Sequence, residues 1–186
     1  MRPFFILIFL ILSAGFVSGQ KPAEAIPWDK NRPLVWKDFK GKPASVTYHA
    51  QTYGQMSYSF SSLPSGEMKI IVHVTFDPKR SWVKPGKASN KLLVHEQCHF
   101  DVFEIYARIF VKRLTEEKVL TGKDFSTKVQ KVFSRTFEEL QKFQQQYDKE
   151  TDHSINEIKQ AEWTAKISGL LEDYEAYTTK EISFMR

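Results

Sequence analysis

The chain has 186 residues, 41% of them hydrophobic and 14% aromatic, with 27 Lys and Arg against 22 Asp and Glu. That composition excludes a disordered chain and leaves room for one globular domain with a sizeable core. The single cysteine, Cys98, excludes an internal disulfide framework and a zinc site built from several thiolates, and a net charge of +5 is too small to argue for a nucleic-acid partner.

The chain opens on Arg2 and an unbroken apolar run from Phe4 to Leu12, followed by the small-residue stretches Ser13-Ala14-Gly15 and Val17-Ser18-Gly19. The run is too short to span a bilayer and has the order of a secretory signal peptide, so residues 1–19 are expected to be removed and residues 20–186 to form the mature domain. The expected location is the periplasm or the outside of the cell. Within 20–186, residues 20–90 carry 11 basic and 5 acidic groups, and residues 91–186 carry 15 and 17. The basic groups of the first half are scattered rather than interleaved with stacking aromatics, which is a solvated face and not a nucleic-acid groove.

Met68, Ile70, Val72, Val74 and Phe76 alternate with Lys69, His73 and Thr75, the pattern of a strand with one buried face. Pro64-Ser65-Gly66 supplies the turn that joins it to an earlier strand over about 54–60, giving a hairpin. The strand ending at Phe76 is expected to lie beside the helix that follows and to pair with an extended substrate. From Ser89 or Asn90 to about Lys118 the residues are good helix formers with no Pro or Gly. Thr121-Gly122 ends that helix, Asp124 or Ser126 caps a second one running to about Tyr147, and a third runs from near Ser154 to about Thr178. The expected class is α+β: an N-terminal antiparallel or mixed sheet over about 34–88, then helices over about 89–180.

His95-Glu96-Gln97-Cys98-His99 is an H-E-x-x-H pattern, which puts two imidazoles one helical turn apart where both can hold one divalent ion. Both fall on the stripe of Leu92, Phe103, Tyr106, Phe110 and Leu114, and Glu96 lies at its edge, where a general base can reach a metal-bound water without being a ligand. With 5 His and 14 Glu in the chain, roughly 0.01 chance matches are expected, so coincidence is a poor explanation. Cofactor and reaction follow: one Zn²⁺, and hydrolysis with Glu96 as proton acceptor. A third ligand must come from elsewhere, since the position ten residues after His95 is Ile105, and Asp101 and Glu104 point away from His99. Two candidates four residues apart are His153 and Glu157. Glu157 also closes a capping box with Ser154, which favours His153. Tyr147 is a candidate donor to the reacting oxygen, with Asp148 as partner to a ligand imidazole. Cys98 reads as a small buried filler.

Trp36-Lys37-Asp38-Phe39, Phe76-Asp77, Ser81-Trp82-Val83, the His95–Asp101 segment and Tyr147-Asp148-Lys149-Glu150-Thr151-Asp152-His153 follow in an order that resembles the bacterial exported proteins grouped as domain of unknown function 922. The resemblance implies a zincin-like fold and a zinc-dependent protease, and its Y-D-x-x-T-x-H motif falls on His153, which the resemblance thereby makes the third ligand. Glycine often follows that histidine in the family; Ser154 stands there here. The function expected is a monomeric exported zinc metallopeptidase acting on a peptide or protein substrate. The alternatives are a catalytically silent, zinc-stabilised binding module and a hydrolase of a non-peptide bond.

Overall fold

The structure, a computed structural model, describes residues 25–117 and 119–185. The expected export signal over residues 1–19 lies outside the described residues.

The architecture is α+β, with an antiparallel sheet ahead of three long helices. Strands β3 (Gly54–Ser62) and β4 (Glu67–Phe76) form the expected hairpin, in register from Gly54 opposite Phe76 to Ser62 opposite Met68. Gly66 takes the positive φ of 85° that the turn requires. Along β4 burial alternates as the sequence pattern demands, with Ile70, Val72, Val74 and Phe76 all inside the core.

The other edge of β4 is also occupied. Strand β1 (Ile26–Pro27) pairs with its end and β6 (Glu181–Met185) with its beginning, so β4 is the central strand. The expectation that β4 pairs with a substrate is therefore wrong, because no free row of backbone groups remains where β1, β3 and β6 bind it. Local pattern could not show this. The partner strand β6 lies more than a hundred residues downstream, just past the stretch in which the sequence reads helices. It is secured from the helical side as well: Lys180, just ahead of β6, pairs with the buried carboxylate of Glu104 at 2.6 Å, and Arg108 holds the same carboxylate at 2.9 Å. A second, two-stranded ladder joins β2 (Ala50–Gln51) to β5 (Trp82–Val83).

Helix α1 (Asn90–Glu116) starts at Ser89, whose hydroxyl accepts the Leu92 N–H at 3.2 Å. Its buried residues run nearly all the way round, because the sheet packs on one side and α2 (Phe125–Thr151) and α3 (Glu157–Asp173) on the others. Phe76 meets Phe100 of α1 across the sheet side, and Tyr106 and Phe110 meet Phe143 and Phe133 of α2. Sheet and helix come closest at Gly54, where a Cβ would lie 2.3 Å from the Phe103 ring. Gly54→Ala is expected to destabilise the fold by about 1–3 kcal/mol through overpacking, read as a lower midpoint in denaturant.

The α2–α3 junction departs from the expected boundaries. Helix α2 runs four residues beyond Tyr147, and α3 begins at Glu157 with Asn156, not Ser154, accepting the Lys159 N–H as its cap. The reason is the backbone: Asp152, His153 and Ser154 all take positive φ, 46°, 51° and 77°, so Ser154 cannot serve as the extended cap of a helix. The conformation of Ser154 costs an L-residue about 1–2 kcal/mol, and glycine adopts it freely. Ser154→Gly is expected to relieve that strain and, after the larger backbone entropy lost by glycine, to stabilise the protein by about 0.5–1 kcal/mol, a rise visible in a thermal melt.

Candidate metal centre

The site lies where the first turns of α1 meet the last turns of α2. His95 and His99 are one turn apart on α1 and turn the same way. Their Nε2 atoms lie 3.1 Å from each other, and Asp148 Oδ1, on α2, lies 3.2 Å from His95 Nε2 and 3.0 Å from His99 Nε2. Two ligands each about 2.05 Å from a tetrahedral ion sit about 3.3 Å apart, so this near-equilateral triangle has the dimensions of one face of such a coordination sphere. His95, His99 and Asp148 are the group among the described residues that could hold a metal ion.

The orientation of both rings is set from behind. His99 Nδ1 donates to Gln144 Oε1 while Gln144 Nε2 donates to the His99 carbonyl at 2.9 Å. A carbonyl only accepts, so the amide cannot be turned round, and Nδ1 must carry the hydrogen. When His99 is neutral, its lone pair is therefore on Nε2, aimed at the triangle. His95 Nδ1 is hydrogen-bonded to the side-chain amide of Gln160, 2.9 Å from its Oε1.

The charges agree with a cation site. Burial opposes a charged His99, yet the nearby Asp148 and Glu96 carboxylates overcome it and push its pKa up to about 9. Burial also opposes a charged Asp148, but the charge of His99 and the imidazoles of His153 and His95 close to its carboxylate hold its carboxyl far below the ordinary range. The two shifts are the two sides of one imidazole–carboxylate attraction, and the pocket favours positive charge, which protons supply when no ion is present.

Glu96 is 3% exposed, its carbonyl accepts the Thr52 hydroxyl at 3.1 Å, and its Oε2 is buried without a hydrogen-bond partner in the protein. A buried carboxylate oxygen left unpaired is costly and calls for a functional reason.

His153 stands one step out. Its Nδ1 is 3.5 Å from Asp148 Oδ1, its side chain is 42% exposed, and its ring packs on Tyr48 at 4.7 Å. The left-handed turn after α2 folds it back over the helix end. The corner that the sequence reading gave to His153 is thus occupied by Asp148, which shares a face of α2 with Gln144, whereas His153 lies past the last turn. Glu157, the other candidate, faces Lys91 at 3.0 Å and is 78% exposed. Tyr147 is fully buried and its ring stacks on His95, but its hydroxyl is hydrogen-bonded to the His95 carbonyl at 3.3 Å and to Gln160. It supports His95 from behind, and its hydroxyl is engaged away from the triangle where an oxyanion donor would be needed. Cys98 is buried, and burial pushes its thiol up to about 11, which keeps it protonated and unsuited to metal binding, as its reading as a filler requires.

Gln144 carried no signal in the sequence beyond its spacing one turn before Asp148, whereas Gln160, on the stripe of α3, lies with Trp163 at the end of the stretch that carries the family resemblance. That Asp148 itself forms a corner was signalled only by its place next to Tyr147 in the resembling motif.

A family model described as "Bacterial protein of unknown function (DUF922)" matches residues 36–154. The chain belongs to the DUF922 family. The segment shared with DUF922 holds His95, Glu96, His99, Gln144, Asp148 and His153, while β1, α3 with Gln160, and β6 lie outside it. Searches of curated proteins and of solved structures return no match. Among the described residues, no helix is long and apolar enough to cross a membrane.

Proposed function

We propose that this DUF922 protein is a zinc metallohydrolase of zincin-like type, exported and monomeric, that cleaves peptide bonds. The observation that carries the reading is the Nε2, Nε2, Oδ1 triangle with edges of 3.0–3.2 Å beside a buried carboxylate that has no other task. Two imidazoles and one carboxylate are a donor set suited to zinc in a catalytic site, where three protein ligands leave a position open for water. A bound ion would supply Lewis acidity and an acidified water.

The chain's own residues do the rest. His95, His99 and Asp148 would hold the ion. Glu96, next to the triangle, takes the proton from the attacking water and returns it to the leaving amine. His153, at the exposed side, steadies Asp148 through their contact, and Tyr147 and the two glutamines fix the rings.

A second reading keeps His153 as the third ligand, turning in to take the place of Asp148. It is favoured by the contact of His153 with Asp148 and by its exposed position.

The test is zinc content by mass spectrometry together with cleavage of a peptide library by the purified chain. One equivalent of zinc with cleavage is expected. No zinc would sink the metal centre. Zinc without cleavage of any peptide would sink the peptidase and leave a binding module or a hydrolase of another bond.

A further inference from the structure

We propose that Gln144 and Gln160 are positioning residues that set how tightly this site holds its ion, through an outer layer deliberately free of charge; this rests on the metal-centre reading above. A ligand imidazole commonly passes its other N–H to a carboxylate, a carbonyl or water, and a carboxylate raises the basicity of the ring. Here each ring meets a side-chain amide instead, one from α2 and one from α3. The charge balance gives the physical reason. A divalent ion with Asp148 and Glu96 sums to zero in a pocket where His95 and Glu96 are each 3% exposed. An outer carboxylate would leave an unbalanced negative charge beside these buried groups.

The two glutamines differ in what surrounds them. Gln160 is 6% exposed, and its amide nitrogen donates to the Tyr147 hydroxyl at 2.8 Å and the Thr164 hydroxyl at 3.2 Å. Hydroxyls can turn round, so a carboxylate at position 160 would be met by two donors. Gln144 has no such freedom, because its amide nitrogen faces the His99 carbonyl, which would meet a carboxylate oxygen with another acceptor.

The experiment measures zinc and cobalt affinity, by competition with a chromophoric chelator, for full-length wild type, Gln160→Glu, Gln144→Glu, Gln160→Leu and Gln144→Leu. Visible absorption of the cobalt form reports the ligand field, and melting of the metal-free proteins controls for folding. Both Leu variants are expected to bind ~10–100-fold more weakly. Gln160→Glu is expected to bind about 10-fold more tightly, with a shifted cobalt spectrum, and Gln144→Glu more weakly than wild type. A purely structural role would move the melting points, leave the cobalt spectrum unchanged and give the two Glu variants no opposite shifts in affinity. The proposal is overturned if all four variants bind as wild type does, or if the two Glu variants move in the same direction. Wild type that binds neither ion overturns the metal centre itself, so the two failures are distinguishable.

Discussion

Glu96→Gln is expected to keep a full equivalent of zinc while peptide cleavage falls by ~10²–10⁴-fold, the usual contribution of a positioned general base. The amide is isosteric with the carboxylate but cannot accept the proton. Glu96 is not a corner of the triangle, so the ligand set is untouched. Stability should move the other way. Glu96 Oε2 is buried without a partner and sits in a pocket that already contains Asp148, so removing its charge relieves a desolvation cost. The variant is expected to melt at or above the wild-type temperature, which separates lost chemistry from lost folding. Cleavage retained at the wild-type rate would remove Glu96 from the mechanism. Loss of zinc would make it a ligand.

Asp148→Asn should have the larger effect on the ion itself. It leaves two neutral imidazoles with a weaker oxygen donor, and zinc content after gel filtration is expected to fall below ~0.1 equivalent, while His153→Ala retains most of the ion. The reverse pattern would establish His153 as the third ligand and Asp148 as its support. In metal-free protein the same substitution breaks a buried charge pair, at a cost of roughly 3–5 kcal/mol if the imidazole stays charged. The pH dependence gives an independent reading. His99 is held at about 9, above its unfolded value of about 6.5, so its pairing stabilises the metal-free fold fully below about pH 6.5 and is lost as pH rises through about 9. Chemical denaturation of metal-free wild type is expected to show that decline between pH 6.5 and 9. Asp148→Asn should largely abolish it, because Asp148 is the main group that raises the His99 value.

Much of this was written locally. The alternation of Met68 to Phe76 specifies a half-buried strand, Pro64-Ser65-Gly66 its hairpin, and Ser89 the start of α1, because each depends on neighbours within a few residues. The H-E-x-x-H spacing likewise determines that His95 and His99 share a helix face. Where a boundary depended on backbone conformation that side-chain type does not dictate, the reading failed: Ser154 looks like a cap, but three consecutive left-handed residues place it in a turn.

The sequence by itself determined an α+β chain with two imidazoles and a carboxylate poised on one helix, since helical periodicity is a property of the local chain. Only the tertiary structure decided that β4 is enclosed on both edges, that Asp148 takes the corner nearest both rings, that Gln144 fixes the tautomer of His99 and that Gln160 meets the ring of His95. Those contacts join residues 45 to 65 positions or more apart, and their distances are set by how α2 and α3 pack on α1, for which no spacing in the chain is a substitute.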